Sequence, residues 1–371
     1  KKQRESHMKL STSLGVSLNE QFNWNKCRMD CFIKMLIALF RIRTVNLKSL
    51  AAAMDSKAEV NSRYRRLQKF FALFHFDMTV LSRWLFQRFY QESDKVYIAI
   101  DRTNWFWGKK KINIFMLSVL YEGIAIPICW HMLDKAGTST GAEQRTLIED
   151  FIKLFGKAQI IGVLGDREFA NGYFFSWLKN EKIPFYIRIK SGSWACIKGR
   201  KWRKAYKLFK TVNPKSHYTF DMAIEIFGVS VFLAAARSEG GELMIVATNA
   251  HPKHAIAIYL RRWEIESLFQ AFKSRGFNLE DTQLTEPMRL SKLIAVIAVA
   301  FTWAHKVGEW RQKIKPIRLR RMQKQMRPEY SLFKYGLELL TDCFVNRCVT
   351  VKKLREVAKI LKNPTYQEIT P

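Results

Sequence analysis

The sequence predicts an α/β protein: a mixed sheet flanked by helices, interrupted by a β-rich insertion, with helical N- and C-terminal regions. Three observations carry that expectation. The runs VYIAID (96–101) and IIGVLGD (160–166) are continuously apolar, as in strands buried on both faces, and each ends in aspartate. INIFMLSVLYEG and AIPICWHML stand between them at hairpin spacing, so three antiparallel strands are expected first. Helix-like and strand-like segments then alternate up to LMIVATN (243–249).

Residues 1–94 read as a helical N-terminal region. Its basic aromatic cluster Arg63, Tyr64, Arg65, Arg66, Lys69 and Phe70 suits a helix laid against DNA, and equally a solvated basic face. Residues 95–190 hold the strands named above, the helix TGAEQRTLIEDFIKLFG, a second helix NGYFFSWLKNEK and the strand PFYIRIK. Residues 191–241 change character: seven Lys or Arg between 198 and 210 with no acid, then strands such as VSVFLAAA, giving the β-rich insertion. Residues 242–310 return to a buried strand, followed by the helix-forming YLRRWEIESLFQAFK (259–273) and an apolar helix at 290–304. Residues 311–371 are expected to be basic and helical, opening with RQKIKPIRLRRMQKQMR (311–327).

Lys and Arg number 63 against 32 Asp and Glu, a formal net charge of +31, which points to a polyanionic partner. The longest apolar run, LIAVIAVAFTWA (293–304), is too short to span a bilayer, so the polyanion is expected to be nucleic acid and no membrane partner is expected. The opening KKQRESH is polar and basic, with no apolar core behind it, which leads to the expectation of a cytoplasmic protein; Met8 is an alternative natural start. The six cysteines lack a histidine pair at zinc-finger spacing, so reduced thiols are expected.

An unbroken helix over 259–273 would place Tyr259, Glu266 and Lys273, seven residues apart, nearly in line, with Arg262 about 40° from Glu266. Ile258, Ile265, Phe269 and Phe272 would form an adjoining apolar stripe. Glu266 then borders the buried face, able to reach the edge of a sheet. Asp101 and Asp166 end two strands of one sheet, and desolvating such carboxylates is costly unless they are paired. An ion pair with Arg102 or Arg167, or helix capping, would suffice for either aspartate alone. Three carboxylates gathered together repel one another, and hard divalent ions such as Mg²⁺ relieve that conflict. Two such ions activate a water or 3′-hydroxyl for attack on a phosphodiester.

Tyr259-x2-Arg262-x3-Glu266-x6-Lys273, with Trp263 and Ile265 inside it, resembles the Tyr-Arg-Glu-Lys signature of the DDE transposases of the insertion-sequence-four group. GDREF (165–169) resembles the segment around that family's second catalytic aspartate, and AIDRTNW (99–105) its first. The resemblance implies a ribonuclease-H-like core carrying the β insertion. It also implies Asp101, Asp166 and Glu266 as catalytic metal ligands for two Mg²⁺ ions, with Mn²⁺ as substitute. Tyr259, Arg262 and Lys273 would hold backbone phosphates. The implied activity is cleavage of double-stranded DNA at terminal inverted repeats, then strand transfer of the 3′-hydroxyl into target DNA. The implied assembly is a homodimer in the synaptic complex, in a bacterial cytoplasm at the nucleoid. Trp194 and Trp202 are candidates for stacking a flipped base, or core residues. Two other readings use the same residues: a structure-specific nuclease or resolvase without strand transfer, and a catalytically silent DNA-binding relative.

Overall fold

Short polar side chains set the helix starts of the N-terminal region. In the computed structural model, which describes residues 14–16, 18–322, 325–345 and 351–362, Asn25 accepts from the Cys27 amide and opens α1 (Lys26–Ile42). Asn46 accepts from Lys48 and Ser49 to open α2 (Leu47–Ala53). α3 (Val60–Leu73) and α4 (Met78–Gln87) follow, the latter capped by Asp77. The chain divides into two compact units: Gln91–Leu268, and a helical unit that joins the chain before it to the chain after it.

Within Gln91–Leu268, β1 (Val96–Trp107), β2 (Lys110–Tyr121) and β3 (Ile124–Met132) form an antiparallel meander. The β2–β3 turn takes positive φ at Glu122 (41°) and Gly123 (90°), the geometry of tight hairpins whose twist matches the strands. α5 (Gly141–Phe155) starts at a Thr140–Glu143 capping box and leads to β4 (Ile160–Gly165), which lies parallel to β1. α6 (Gly172–Asn180) then leads to β5 (Phe185–Ile189), parallel to β4. The order β3-β2-β1-β4-β5, three antiparallel strands followed by two parallel ones, is the ribonuclease-H-like mixed sheet expected.

The β-rich stretch extends this sheet. β6 (Trp194–Ile197), β7 (Arg203–Lys204), β8 (His217–Thr219), β9 (Ile224–Ile226) and β10 (Val229–Arg237) precede β11 (Leu243–Thr248). β11 pairs with β5 and β10 with β11, so the path runs on as β5-β11-β10-β9-β6-β7, with β8 also on β10. Ile98, Ile100, Val163, Leu164, Ile187 and Val246 are fully buried, which accounts for the unbroken apolar runs in their strands.

The segment 259–273 is not one helix. α7 (Ala255–Leu260) and α8 (Trp263–Phe272) are separated at Arg261 and Arg262, and Lys273 follows the end of α8. Through the junction the backbone bonds tighten to three-residue spacing, Arg262 N to Tyr259 O at 2.9 Å and Ile265 N to Arg262 O at 3.1 Å. The break lets Arg262 turn inward and leaves Trp263 exposed.

In the helical unit, α9 (Pro287–Ile314) is 28 residues long and apolar enough to cross a membrane by length and composition, but 89% of its most apolar stretch is buried inside the fold. It packs on α10 (Leu332–Val345) and α11 (Val351–Lys362) as a core helix. Between α9 and α10 the chain forms a separate two-stranded ribbon, β12 (Leu319–Met322) with β13 (Gln325–Pro328), where a helical segment was expected. Pro316, which has no amide hydrogen to continue a helix, stands two residues past the end of α9. Among the described residues the cysteines are free thiols, and burial pushes Cys31 and Cys343 up to about 11.

Candidate active site

The parallel pairing of β1 with β4 ends at Ile100 opposite Gly165, so Asp101 and Asp166 follow at the same level of the sheet. β1 does not stop there: it continues with β2 as far as Trp107 opposite Lys110. Asp101 therefore sits where one neighbouring strand leaves it, not at a strand end.

The GDREF turn divides its duties residue by residue. Phe169 is fully buried and stacks on Phe115 of β2 with centroids 5.5 Å apart, and its amide bonds Asp166 O at 3.0 Å. A methyl group at Gly165 would stand 3.2 Å from the Phe169 ring and 3.4 Å from Ile100, a tight fit that those side chains would have to yield to. Glu168 receives both arms of the Arg102 fork, Nε to Oε1 at 2.8 Å and Nη2 to Oε2 at 2.6 Å. Arg102 also donates to Asn113 Oδ1 at 3.1 Å and to the Gly137 carbonyl. This fork ties the residue after Asp101 to the residue two beyond Asp166. Sequence reading missed it, although the opposed charges of DRT and DRE were a signal.

α7 and α8 supply the rest. Glu264, 9% exposed at the start of α8, accepts from Arg261 Nε at 3.2 Å. Arg261 lies over the Tyr97 ring at 5.2 Å. Arg262, 4% exposed, reaches Glu266 Oε1 at 2.6 Å and Asp101 Oδ2 at 3.4 Å. Its Nε donates to Tyr259 Oη at 3.3 Å, and that hydroxyl donates to Asp166 Oδ1 at 3.4 Å. Tyr259, expected on a polar stripe, is 1% exposed. Five of the six sequence-predicted residues thus form one linked cluster in Gln91–Leu268. Lys273 belongs to the helical unit, where it pairs with Glu280 at 2.7 Å.

Burial pushes Asp101 up to about 7, with Glu168 and Asp166 adding in the same direction, against the pull of Arg262 and of the Arg102 amide. For Arg262 burial works against the charge, but Tyr259, Glu266 and Asp101 outweigh it and hold the guanidinium charged. Burial raises the Tyr259 hydroxyl above its ordinary value. Among the described residues no three His, Cys, Asp or Glu side chains stand as a ready metal cluster. The carboxylates share the Arg262 guanidinium instead. Asp101 and Glu266 are hard oxygen donors that already share one cation, the Arg262 guanidinium, and so fit a divalent ion by their chemistry.

The family model described as "Transposase DDE domain" matches residues 92–303, more than half of the chain. The chain belongs to this transposase family. The family's enzymes cleave DNA, join strands and generally use divalent metal ions, so this transposase is a DNA-acting enzyme. A search of curated proteins returns no match. Among solved structures the transposase is similar to a piggyBac transposase synaptic complex with hairpin DNA, at 14% identity, covering 92% of this chain and 78% of that one, with a TM-score of 0.44. Trp194 and Trp202, the two tryptophans singled out in the insertion, are 55% and 48% exposed, with Lys204 Nζ 4.1 Å from the Trp194 ring centre.

Proposed function

We propose that this chain is the transposase of an insertion sequence of the insertion-sequence-four group, with Asp101, Asp166 and Glu266 as its catalytic carboxylates. The observation that carries the reading is the linked cluster itself: Tyr259 on Asp166, and Arg262 on both Asp101 and Glu266. The spacing of the Tyr-Arg-Glu-Lys signature supports it from the sequence side. The three carboxylates would hold two Mg²⁺ ions, with Mn²⁺ as substitute; bound there, the ions supply activation of water or a 3′-hydroxyl and stabilise the leaving oxygen. Arg262 would yield the carboxylates and, with Tyr259, receive backbone phosphates beside the scissile bond; Lys273, in the helical unit, is the signature's third phosphate-binding residue. The substrate is double-stranded DNA at the element's terminal inverted repeats, cut and then joined to target DNA. Synapsis of two ends calls for a homodimer.

The test uses a duplex carrying the inverted repeat that flanks the gene. Asp101→Ala, Asp166→Ala and Glu266→Ala should each abolish Mg²⁺-dependent nicking and leave duplex binding within a few-fold, because many phosphates share the affinity. Near wild-type nicking by any one of them would remove that residue from the set. A precleaved end that the wild type hydrolyses but never joins to target would instead make the enzyme a nuclease.

A further inference from the structure

Beside the carboxylate cluster, a cleft of about 400 Å³ is lined by Arg167, Arg188, Tyr206, Lys210, Arg237 and Glu242. Its cations come from four separate places in the fold. Arg167 follows Asp166, Arg188 lies on β5, Lys210 closes the short helical turn Ala205–Phe209, and Arg237 ends β10. Arg188 stands one residue beyond Ile187, the partner of Gly165, so it lies level with Asp166. Burial works against the Arg188 charge, but the Glu242 hydrogen bond and the fields of Tyr259 and Asp166 outweigh it and hold the guanidinium charged.

The cations are not equivalent. Arg237 is spent on the wall, donating to Val212 O at 2.7 Å and Gly241 O at 2.8 Å. Arg188 donates to Glu242 at 2.7 Å, an acid whose side chain is 72% exposed. Arg167 and Lys210 are exposed, and among the described residues neither side chain has an ion-pair or hydrogen-bond partner. With Arg188 held by Glu242 and Arg237 by the wall, Arg167 and Lys210 leave an excess of positive charge in the cleft. A phosphodiester would relieve it, and the exposed Tyr206 ring (41%) offers a flat wall for a nucleotide.

We propose that this cleft is a second phosphate subsite of the transposase, taking a backbone phosphate of the DNA strand that passes Asp166. It is distinct from the Tyr259–Arg262–Lys273 set and rests on the reading of the enzyme as DNA-cleaving. Arg167 and Lys210 make the contact, and Arg188 shifts its fork from Glu242 to the phosphate.

The test is binding of fluorescein-labelled dT16 to the full chain, followed by anisotropy, with lysine acetylation mapped by mass spectrometry. Bound dT16 should slow acetylation of Lys210 at least five-fold while Lys153, 71% exposed on α5, reacts as before. Arg167→Gln/Lys210→Gln, both at exposed positions, should lower the slope of log affinity against log salt by roughly 1.4, two single-strand phosphate contacts at about 0.7 each. Equal slowing at Lys153 and Lys210, no slowing at Lys210, or an unchanged slope overturns the subsite. Wild-type Mg²⁺-dependent nicking is measured on the same preparation. Nicking with an unprotected Lys210 discards the subsite alone, whereas protection without nicking discards the transposase reading and keeps a nucleic-acid site.

Discussion

Arg262 is the residue on which the candidate site turns. It is buried and neutralises two carboxylates at once, Glu266 at 2.6 Å and Asp101 at 3.4 Å. Removing one partner of a buried charge cluster leaves the others uncompensated, typically at a cost of about 3–5 kcal/mol. Arg262→Gln should therefore melt lower than wild type without divalent ions. If the carboxylates are the metal ligands, added Mg²⁺ should raise its melting temperature more than it raises that of the wild type, since no guanidinium competes. Equal shifts in the two proteins would show that Arg262 and the ion do not share ligands. The Arg102–Glu168 fork is the second charged device, with side chains 9% and 23% exposed. Glu168→Gln should cost about 2–4 kcal/mol in urea unfolding, because Arg102 loses a bidentate buried partner. Glu239→Gln, in a pair with Lys215 where both side chains are 64% exposed, is the control and should cost about 0–1 kcal/mol. Similar losses in the two variants would place the fork among ordinary surface pairs.

At the scale of elements, what was legible in the sequence followed from burial on both faces. VYIAID and IIGVLGD became the adjacent parallel strands β1 and β4 because nothing polar interrupts them, and the family resemblance of GDREF singled out the segment that holds Asp166. What was not legible came from side chains that leave their expected face. Helical periodicity assigns Arg262 to a polar stripe along one unbroken helix, since it cannot register the break at Arg261 and Arg262 that turns the guanidinium inward onto two carboxylates and a phenol. The ribbon at 319–328 was hidden for another reason: three of its eight strand residues are arginine, Arg320, Arg321 and Arg327, and LRRM shows no apolar alternation. Helix packing offers its own test. A methyl group at Gly308 of α9 would overlap the backbone oxygen of Leu332, and one at Gly336 of α10 would overlap that of Ala304. Backbone cannot rotate away as a side chain can, so Gly308→Ala and Gly336→Ala should each destabilise the helical unit by roughly 1–3 kcal/mol or more, despite alanine's better helix propensity. Thermal unfolding that rose in either variant would mean the two helices can separate at little cost.

At the scale of the whole molecule, the formal charge of +31 is too large to be absorbed by internal pairing and must act on what approaches the surface. One exposed portion outside the cluster is the start of the basic run, where Lys198, Arg200 and Lys201 are all exposed at the end of β6. A second portion is Arg318 and Arg321, exposed around β12. If these groups lie on DNA, each releases about 0.9 of a condensed counterion per phosphate neutralised. Lys198→Gln/Arg200→Gln/Lys201→Gln should then lower the slope of log affinity against log salt on a random-sequence duplex by up to about 2.7, and Arg318→Gln/Arg321→Gln by up to about 1.8. Both effects should be the same on end DNA and on unrelated DNA, because phosphates carry no sequence. The melting temperature should hardly move, since exposed charges contribute little to folding. A slope unchanged in one variant and reduced in the other would assign the DNA track to the second segment. Unchanged slopes in both would make these runs solvated faces, and the polyanion would then have to be held by the cluster and cleft of Gln91–Leu268 alone.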